Sequence, residues 1–146
     1  VLIGDVEIGA RSSIWFGTVL RGDVLYIRVG DETSIQDGSV LHVTHGQNAT
    51  IVGSRVTVGH GVTLHGCRIG DRCIIGMGSI VLDRAEIAER CIVGAGALVT
   101  PGTRIPAGTL AVGAPARVRR ELNSDELAWI ESSAEHYVEL AKRYKE

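Results

Sequence analysis

Aliphatic residues return along this chain every six positions. They stand at Leu2, Ile8, Ile14 and Leu20, and after a slip of three at Val29, Ile35 and Leu41. Past an insertion they resume at Val52, Val58 and Leu64, and after the loss of one position at Ile69. From there Ile75, Val81, Ile87, Val93, Val99, Ile105 and Ala111 keep the spacing unbroken. Four places after these aliphatics a small or modest residue recurs, at Ser12, Thr18, Ser39, Val62, Cys73, Ser79, Ala85, Cys91, Ala97 and Thr103. A helix needs apolar positions every 3.6 residues, so this is not a helical pattern. A β-sandwich does not hold so strict a period.

A hexapeptide repeat is the signature of a parallel β-helix. Each aliphatic points into a prism, the small residue fits near a corner, and three hexapeptides close one triangular coil. Residues 1–116 are therefore expected to form an all-β domain of about six coils, stacked at the ordinary strand spacing of ~4.8 Å. The repeat stops near Gly113-Ala114-Pro115-Ala116, and residues 117–146 read as a basic linker, Arg117 to Arg120, followed by a C-terminal α-helix. Asn123 is the expected N-cap, with Glu126 three residues on to complete a capping box. Leu127, Ile130, Ala134, Tyr137, Ala141 and Tyr144 form an apolar stripe at helical spacing, with charges opposite. This helix should pack along a flank of the prism or onto a neighbouring subunit.

Composition narrows the function classes. With a net charge of −2, no basic stripe and few aromatics, the chain does not read as a nucleic-acid binder. Its apolar runs are too short to span a bilayer. No basic segment leads into an apolar one as in a signal peptide. Cys67, Cys73 and Cys91 form no paired framework, which points to free thiols and a reducing, cytoplasmic setting. Cys73 and Cys91 fall in one inward column, a coil apart. Trp15 and Phe16 point outward, which implies a covered surface, either a subunit contact or the helix.

The candidate chemistry lies in the histidines. Units headed by Leu20, Leu41, Leu64 and Val81 occupy one face in successive coils, and the residue after each points outward: Arg21, His42, His65 and Leu82. His42 and His65 are thus vertical neighbours ~4.8 Å apart, close enough to share a metal ion held at 2.0–2.1 Å. His60 belongs to the preceding face, above Asp37, and cannot reach the same ion within its own chain. A threefold assembly would bring the next subunit's His60 to the pair and leave one coordination position open, as catalytic zinc requires. A lone surface histidine is ordinarily just solvated. Three outward ones at one height, in a chain with five histidines, point to a metal. His45, in the loop after His42, and His136, on the helix, read as ordinary polar residues on this pattern alone.

Arg21-Gly22-Asp23, Gln36-Asp37-Gly38-Ser39-Val40-Leu41-His42 and Gly59-His60 through His65-Gly66-Cys67 resemble the γ-class carbonic anhydrase family. The resemblance runs on through Gly113-Ala114-Pro115-Ala116 to Ala134-Glu135-His136-Tyr137-Val138. It implies a left-handed β-helix, a homotrimer with metal sites between subunits, and reversible hydration of carbon dioxide to bicarbonate. It implies His42 and His65 as ligands from one chain and His60 from the next. The metal would be Zn2+, with Fe2+ or Co2+ also suited to imidazole. Arg21, Asp23 and Asp37 match residues that tie subunits together. Gln36 matches one that orients solvent at the metal, and Tyr137 a helix residue near the pocket. Active members of the family carry an acidic loop after the first ligand, with a glutamate that exports protons. Here the loop Val43 to Thr50 has no carboxylate, and His45 is its one imidazole, a side-chain type suited to passing protons between metal-bound water and buffer. The alternatives are a hexapeptide-repeat acyltransferase, a thioester hydrolase working at the same metal, and a non-catalytic metal-binding or assembly subunit.

Overall fold

The period-six aliphatics turn inward and stack into one continuous core. Leu20, Ile35, Leu41, Val58, Leu64, Ile75 and Val81 are all fully buried in the computed structural model, which describes residues 1–145. The chain winds as a parallel β-solenoid of about six turns with one helix at its C-terminal end. Its strands form three faces. Face one stacks Ser13–Ile14, Ser34–Ile35, Thr57–Val58, Ile74–Ile75, Ile92–Val93 and Thr109–Gly113 in parallel register. Face two takes the first part of Val19–Val29, then Val40–His42, Thr63–His65, Ile80–Val81 and Leu98–Val99. Face three takes the rest of Val19–Val29, then Thr50–Val52, Arg68–Ile69, Glu86–Ile87 and Arg104–Ile105. Because Val19–Val29 turns the corner unbroken, faces two and three join into one sheet, with Leu2–Ile8 paired along it.

The small-residue column also carries hydrogen bonds between coils. The hydroxyls of Thr18, Ser39 and Ser79 donate to the carbonyls of Gln36, Gly59 and Gly94 in the next coil, which lets polar groups sit in the core without loss.

The three edges are built differently. Between faces one and two each coil turns on a glycine at positive φ: Gly17, Gly38, Gly61, Gly78 and Gly96. Between faces three and one the same left-handed conformation is held by Arg11, Glu32, Arg55, Arg72 and Arg90, at φ from 52° to 57°. A side chain there costs about 1 kcal/mol or more. What these charged residues provide is contact: Arg55 pairs with Glu32, Glu131 and Glu135, and Arg72 with Glu131, which fastens the helix to this edge. Between faces two and three lie all the departures from the period. Leu20 to Val29 spans nine positions, Leu41 to Val52 eleven and Leu64 to Ile69 five, while the other two edges keep six throughout.

The helix, Ser124–Lys142, lies along face one of its own chain. Asn123 caps it, its side-chain oxygen accepting from the Glu126 N–H at 2.9 Å. The Glu126 carboxylate does not close the capping box and pairs instead with Arg120 at 2.8 Å. Ile130 and Ala134 are buried against the flank, with Ile74 and Ile92 packed around Ile130. The ends of the stripe, Leu127 and Tyr144, stay exposed. Trp15 is covered by the helix, its ring edge-on to Tyr137 and Tyr144 at 6.0 and 5.3 Å, whereas Phe16 is 65% exposed.

The segment read as a basic linker, Arg117 to Arg120, is a strand. Ala116–Glu121 pairs antiparallel with Thr109–Gly113. Its charges face solvent, so it looks like a linker in composition. Its backbone nevertheless satisfies the open edge of the last coil, which would otherwise present unpaired groups. No helix among the described residues is long and apolar enough to cross a membrane.

Candidate metal centre

The irregular edge between faces two and three is where the candidate residues gather. His42 follows the inward Leu41 and His65 the inward Leu64, so strand alternation turns both imidazoles outward. They are register partners, with ring centroids 5.2 Å apart. His42 Nδ1 lies 3.3 Å from His65 Nε2. One coil earlier Arg21 donates to Asp23 at 2.7 Å, and the Asp23 carboxylate lies 3.1 Å from His42 Nε2. The Arg21 guanidinium, helped by His42, holds the Asp23 carboxyl below its usual range against some desolvation.

On the other side stands a residue that sequence reasoning missed. The Asp83 carboxylate lies 2.5 Å from His65 Nδ1 and accepts the Thr44 hydroxyl. Burial pushes its pKa up, but the bonds to Thr44 and His65 outweigh burial and the carboxyl ends below its ordinary value. The six-residue count does not mark Asp83, which follows the outward Leu82 and reaches back to His65 from the next coil. The Thr44 bond also secures the inserted loop, which closes on itself through the Thr44 and Asn48 backbones. His45 is exposed in the turn of that loop.

His60 is elsewhere, on the edge between faces one and two. There Phe16, Asp37, His60 and Met77 stack, linked by backbone hydrogen bonds from the glycines that follow. His60 Nδ1 is 3.1 Å from Asp37 Oδ2, and its side chain is half-exposed at 54%. It lines a cleft of about 720 Å³ beneath the helix, together with Gln36, Met77, Trp129, His136 and Tyr137. Gln36 is 4% exposed, and its side-chain amide makes no hydrogen bond among the described residues. Thus His42, His65, Arg21, Asp23 and Asp83 meet on one edge, and His60, Asp37, Gln36 and Tyr137 on or beside the other. No group of three His, Cys, Asp or Glu side chains able to hold a metal forms within the chain among the described residues.

The donor set suits a metal. Ligand atoms 2.0–2.1 Å from a tetrahedral ion lie about 3.3 Å from one another, which is the separation of the two facing imidazole nitrogens. The other nitrogen of His65 already holds a carboxylate, the arrangement that fixes ring orientation in metal-binding histidines. Cys67 is no competitor. It is buried in the core, and burial pushes its thiol up to about 12. Cys73 and Cys91 are likewise free and buried.

The family described as "Bacterial transferase hexapeptide (six repeats)" matches residues 49–82 and 66–101. A protein of Geobacillus kaustophilus named "Carbonic anhydrase" is 49% identical, over 99% of this chain and 79% of its own length. The chain belongs to the hexapeptide-repeat γ-carbonic anhydrase family. Its γ-carbonic anhydrase relatives include "Gamma carbonic anhydrase 1, mitochondrial" of Arabidopsis thaliana, 47% identical over 98% of this chain. The chain spans about half the length of that protein, 54%. Among solved structures, a "hexapeptide transferase family protein" from Anaplasma phagocytophilum superposes with a TM-score of 0.94 at 45% identity, covering 98% of this chain and 84% of that one.

Proposed function

We propose that this γ-carbonic anhydrase family member is a homotrimer that reversibly hydrates carbon dioxide to bicarbonate at three metal sites between subunits. His42 and His65 of one chain and His60 of the next would hold the metal. The observation that carries this is the 3.3 Å gap between the imidazole nitrogens of His42 and His65. The second supporting fact is spatial: His60 lies on another edge, so a complete ligand set calls for a second chain. Val40 and Ile80 on face two, each 40% exposed, and Met77 beside His60, 58% exposed, give that contact an apolar surface to bury.

Zinc in such a site makes water nucleophilic near neutral pH; iron or cobalt suits the same imidazoles. The protein's own groups do the rest. Asp83 holds the His65 ring, and Asp23, itself held by Arg21, orients His42. Asp37 orients His60 in the same way, so that three imidazoles keep fixed directions across the contact. Gln36 has an unpaired amide at the floor of the cleft and can hold a water or bicarbonate oxygen by hydrogen bonding. Tyr137 and the helix wall that cleft against bulk solvent.

Stopped-flow CO2 hydration on zinc-loaded and iron-loaded protein tests this, with metal content measured alongside. Hydration at one metal per chain is expected. A fully metal-loaded protein without hydration activity in either form would overturn the enzymatic reading. The second reading is acyl transfer, which the word transferase in the matched family and in the Anaplasma protein's description favours. Acetyl-CoA turnover, with no CO2 hydration, would select it.

A further inference from the structure

Arginine is the only long cation of the prism, since the first lysine is Lys142. Nine arginines stand at positions 11, 21, 28, 55, 68, 72, 84, 90 and 104. Six of them have a carboxylate partner at 3.3 Å or closer: Arg11, Arg21, Arg28, Arg55, Arg72 and Arg90. The other three, Arg68, Arg84 and Arg104, line one groove. None of their guanidiniums donates a hydrogen bond among the described residues. Arg68 and Arg84 have no ion-pair partner there either, and Arg104 reaches Glu86 only at 3.9 Å. The groove encloses about 550 Å³ on face three, across the edge from His65, and is completed by Tyr26 and the amides of Gln47 and Asn48.

Register explains how the charges converge. Arg68, Glu86 and Arg104 are outward partners in three successive coils, so Arg68 and Arg104 stand roughly 10 Å apart, twice the strand spacing. Arg84 comes in from the corner. Three cations face one carboxylate, in a chain whose overall charge is −2. Every guanidinium offers five donors in a planar fork matched to phosphate oxygens. With three guanidiniums against one carboxylate the groove favours a multiply charged anion, and two linked phosphates offer oxygens to both columns at once, where bicarbonate brings a single charge. Beside them the Tyr26 ring, with Arg28 stacked at 4.7 Å on it, offers an aromatic wall.

We propose that this groove is a binding site for a pyrophosphate-bearing small molecule, separate from the metal centre and independent of the reaction assigned to it. Arg68 and Arg104 grip the two phosphate groups and Arg84 closes the corner, while Gln47 and Asn48 donate to the remaining oxygens.

Isothermal titration of the assembled full-length protein with pyrophosphate and, separately, with ADP tests this, at low and at raised salt. Saturable binding that weakens with salt is expected, reduced about tenfold by Arg68→Gln or Arg104→Gln as a charge-assisted bidentate contact is lost. Arg104 has 82% of its side chain exposed, so its replacement leaves the fold intact; Arg90→Gln, on another edge, serves as the control with affinity unchanged. Tighter binding of ADP than of pyrophosphate would assign the site to a nucleotide, and equal binding to the inorganic anion; both support the proposal. No saturable binding of either up to millimolar concentration, or equal loss in Arg90→Gln and Arg104→Gln, would overturn it.

Discussion

Asp83 decides how His65 can behave. A ring with one nitrogen held by a carboxylate presents the other as a lone pair in a fixed direction, and Asp83 lies 2.5 Å from His65 Nδ1. Replacing Asp83 by Asn keeps the size and removes the charge. Zinc affinity should fall about 10- to 100-fold, read by competition with a chromophoric chelator; unchanged affinity would mean that Asp83 serves only the loop through Thr44. His45 is the residue-scale counterpart for protons. Hydration of CO2 releases a proton that must reach buffer before the next turnover, and the inserted loop offers no carboxylate. His45→Ala should lower turnover in dilute buffer and recover in concentrated imidazole, with metal content constant. Equal turnover of variant and wild type in dilute buffer would remove His45 from the pathway. The column that bears His42 and His65 was legible from the six-residue count, because alternation fixes which way the two imidazoles point. Asp83 was not, because its side chain crosses from one coil to the next.

The helix is the element whose attachment matters, since it walls the cleft that holds His60 and Gln36. Apolar contact at Ile130 and Ala134 is supplemented by the charged column at the edge, with Arg55 at its centre between Glu32 and the helix glutamates. Arg55 and Glu32 are about four-fifths buried at the side chain, 21% and 18% exposed. Arg55→Ala should cost about 1 kcal/mol and lower the melting temperature by about 3 °C. Arg11 first, and then Arg55, hold the Glu32 carboxyl below its ordinary value. A depressed carboxyl stabilises the fold above its unfolded pKa of about 4.3, and this contribution fades as pH falls from there toward the folded value. The melting difference between wild type and Glu32→Gln should therefore hold steady near neutrality and shrink below about pH 4. A difference that grew on acidification would reverse this assignment. The helix and its cap were readable from Asn123 and the apolar stripe. Its docking on face one was not, because doubled aliphatics occur both there, at Ile74-Ile75 and Ile92-Val93, and on face two, at Val40-Leu41 and Ile80-Val81, and only the stacked coils show that Ile74 and Ile92 are the pair that meets Ile130.

At the scale of the whole molecule, His42 and His65 stand on one edge and His60 on another, so the proposed ligand set needs two chains. A trimer with one metal per chain is the expected solution state, measured by sedimentation with metal analysis; a metal-loaded monomer would exclude the shared site. Subunit mixing is more discriminating. Homotrimers of His60→Ala and of His42→Ala should both lack intact sites. Mixed trimers should regain some, at contacts where an intact His60 meets an intact His42/His65 pair. No recovery in verified mixed trimers would place all three ligands in one chain.

The sequence alone determined the solenoid, its core, the face that bears His42 and His65, and the existence of the helix. A fixed period converts position directly into direction, so stacking follows by counting. What only the tertiary structure decided lies where counting fails. Residues 117–121 have a linker's composition, yet they pair with the last coil because its edge needs hydrogen-bond partners. Arg11, Glu32, Arg55, Arg72 and Arg90 look like scattered surface charges, yet left-handed turns line them up beside the helix. Slips of unequal length at one edge bring Asp23, Asp83 and the loop of His45 around two imidazoles. The charged column and the surroundings of the two imidazoles join residues about twenty positions apart and exist only once the coils are stacked, whereas the strand at residues 117–121 is a local hairpin whose charged sequence does not announce it.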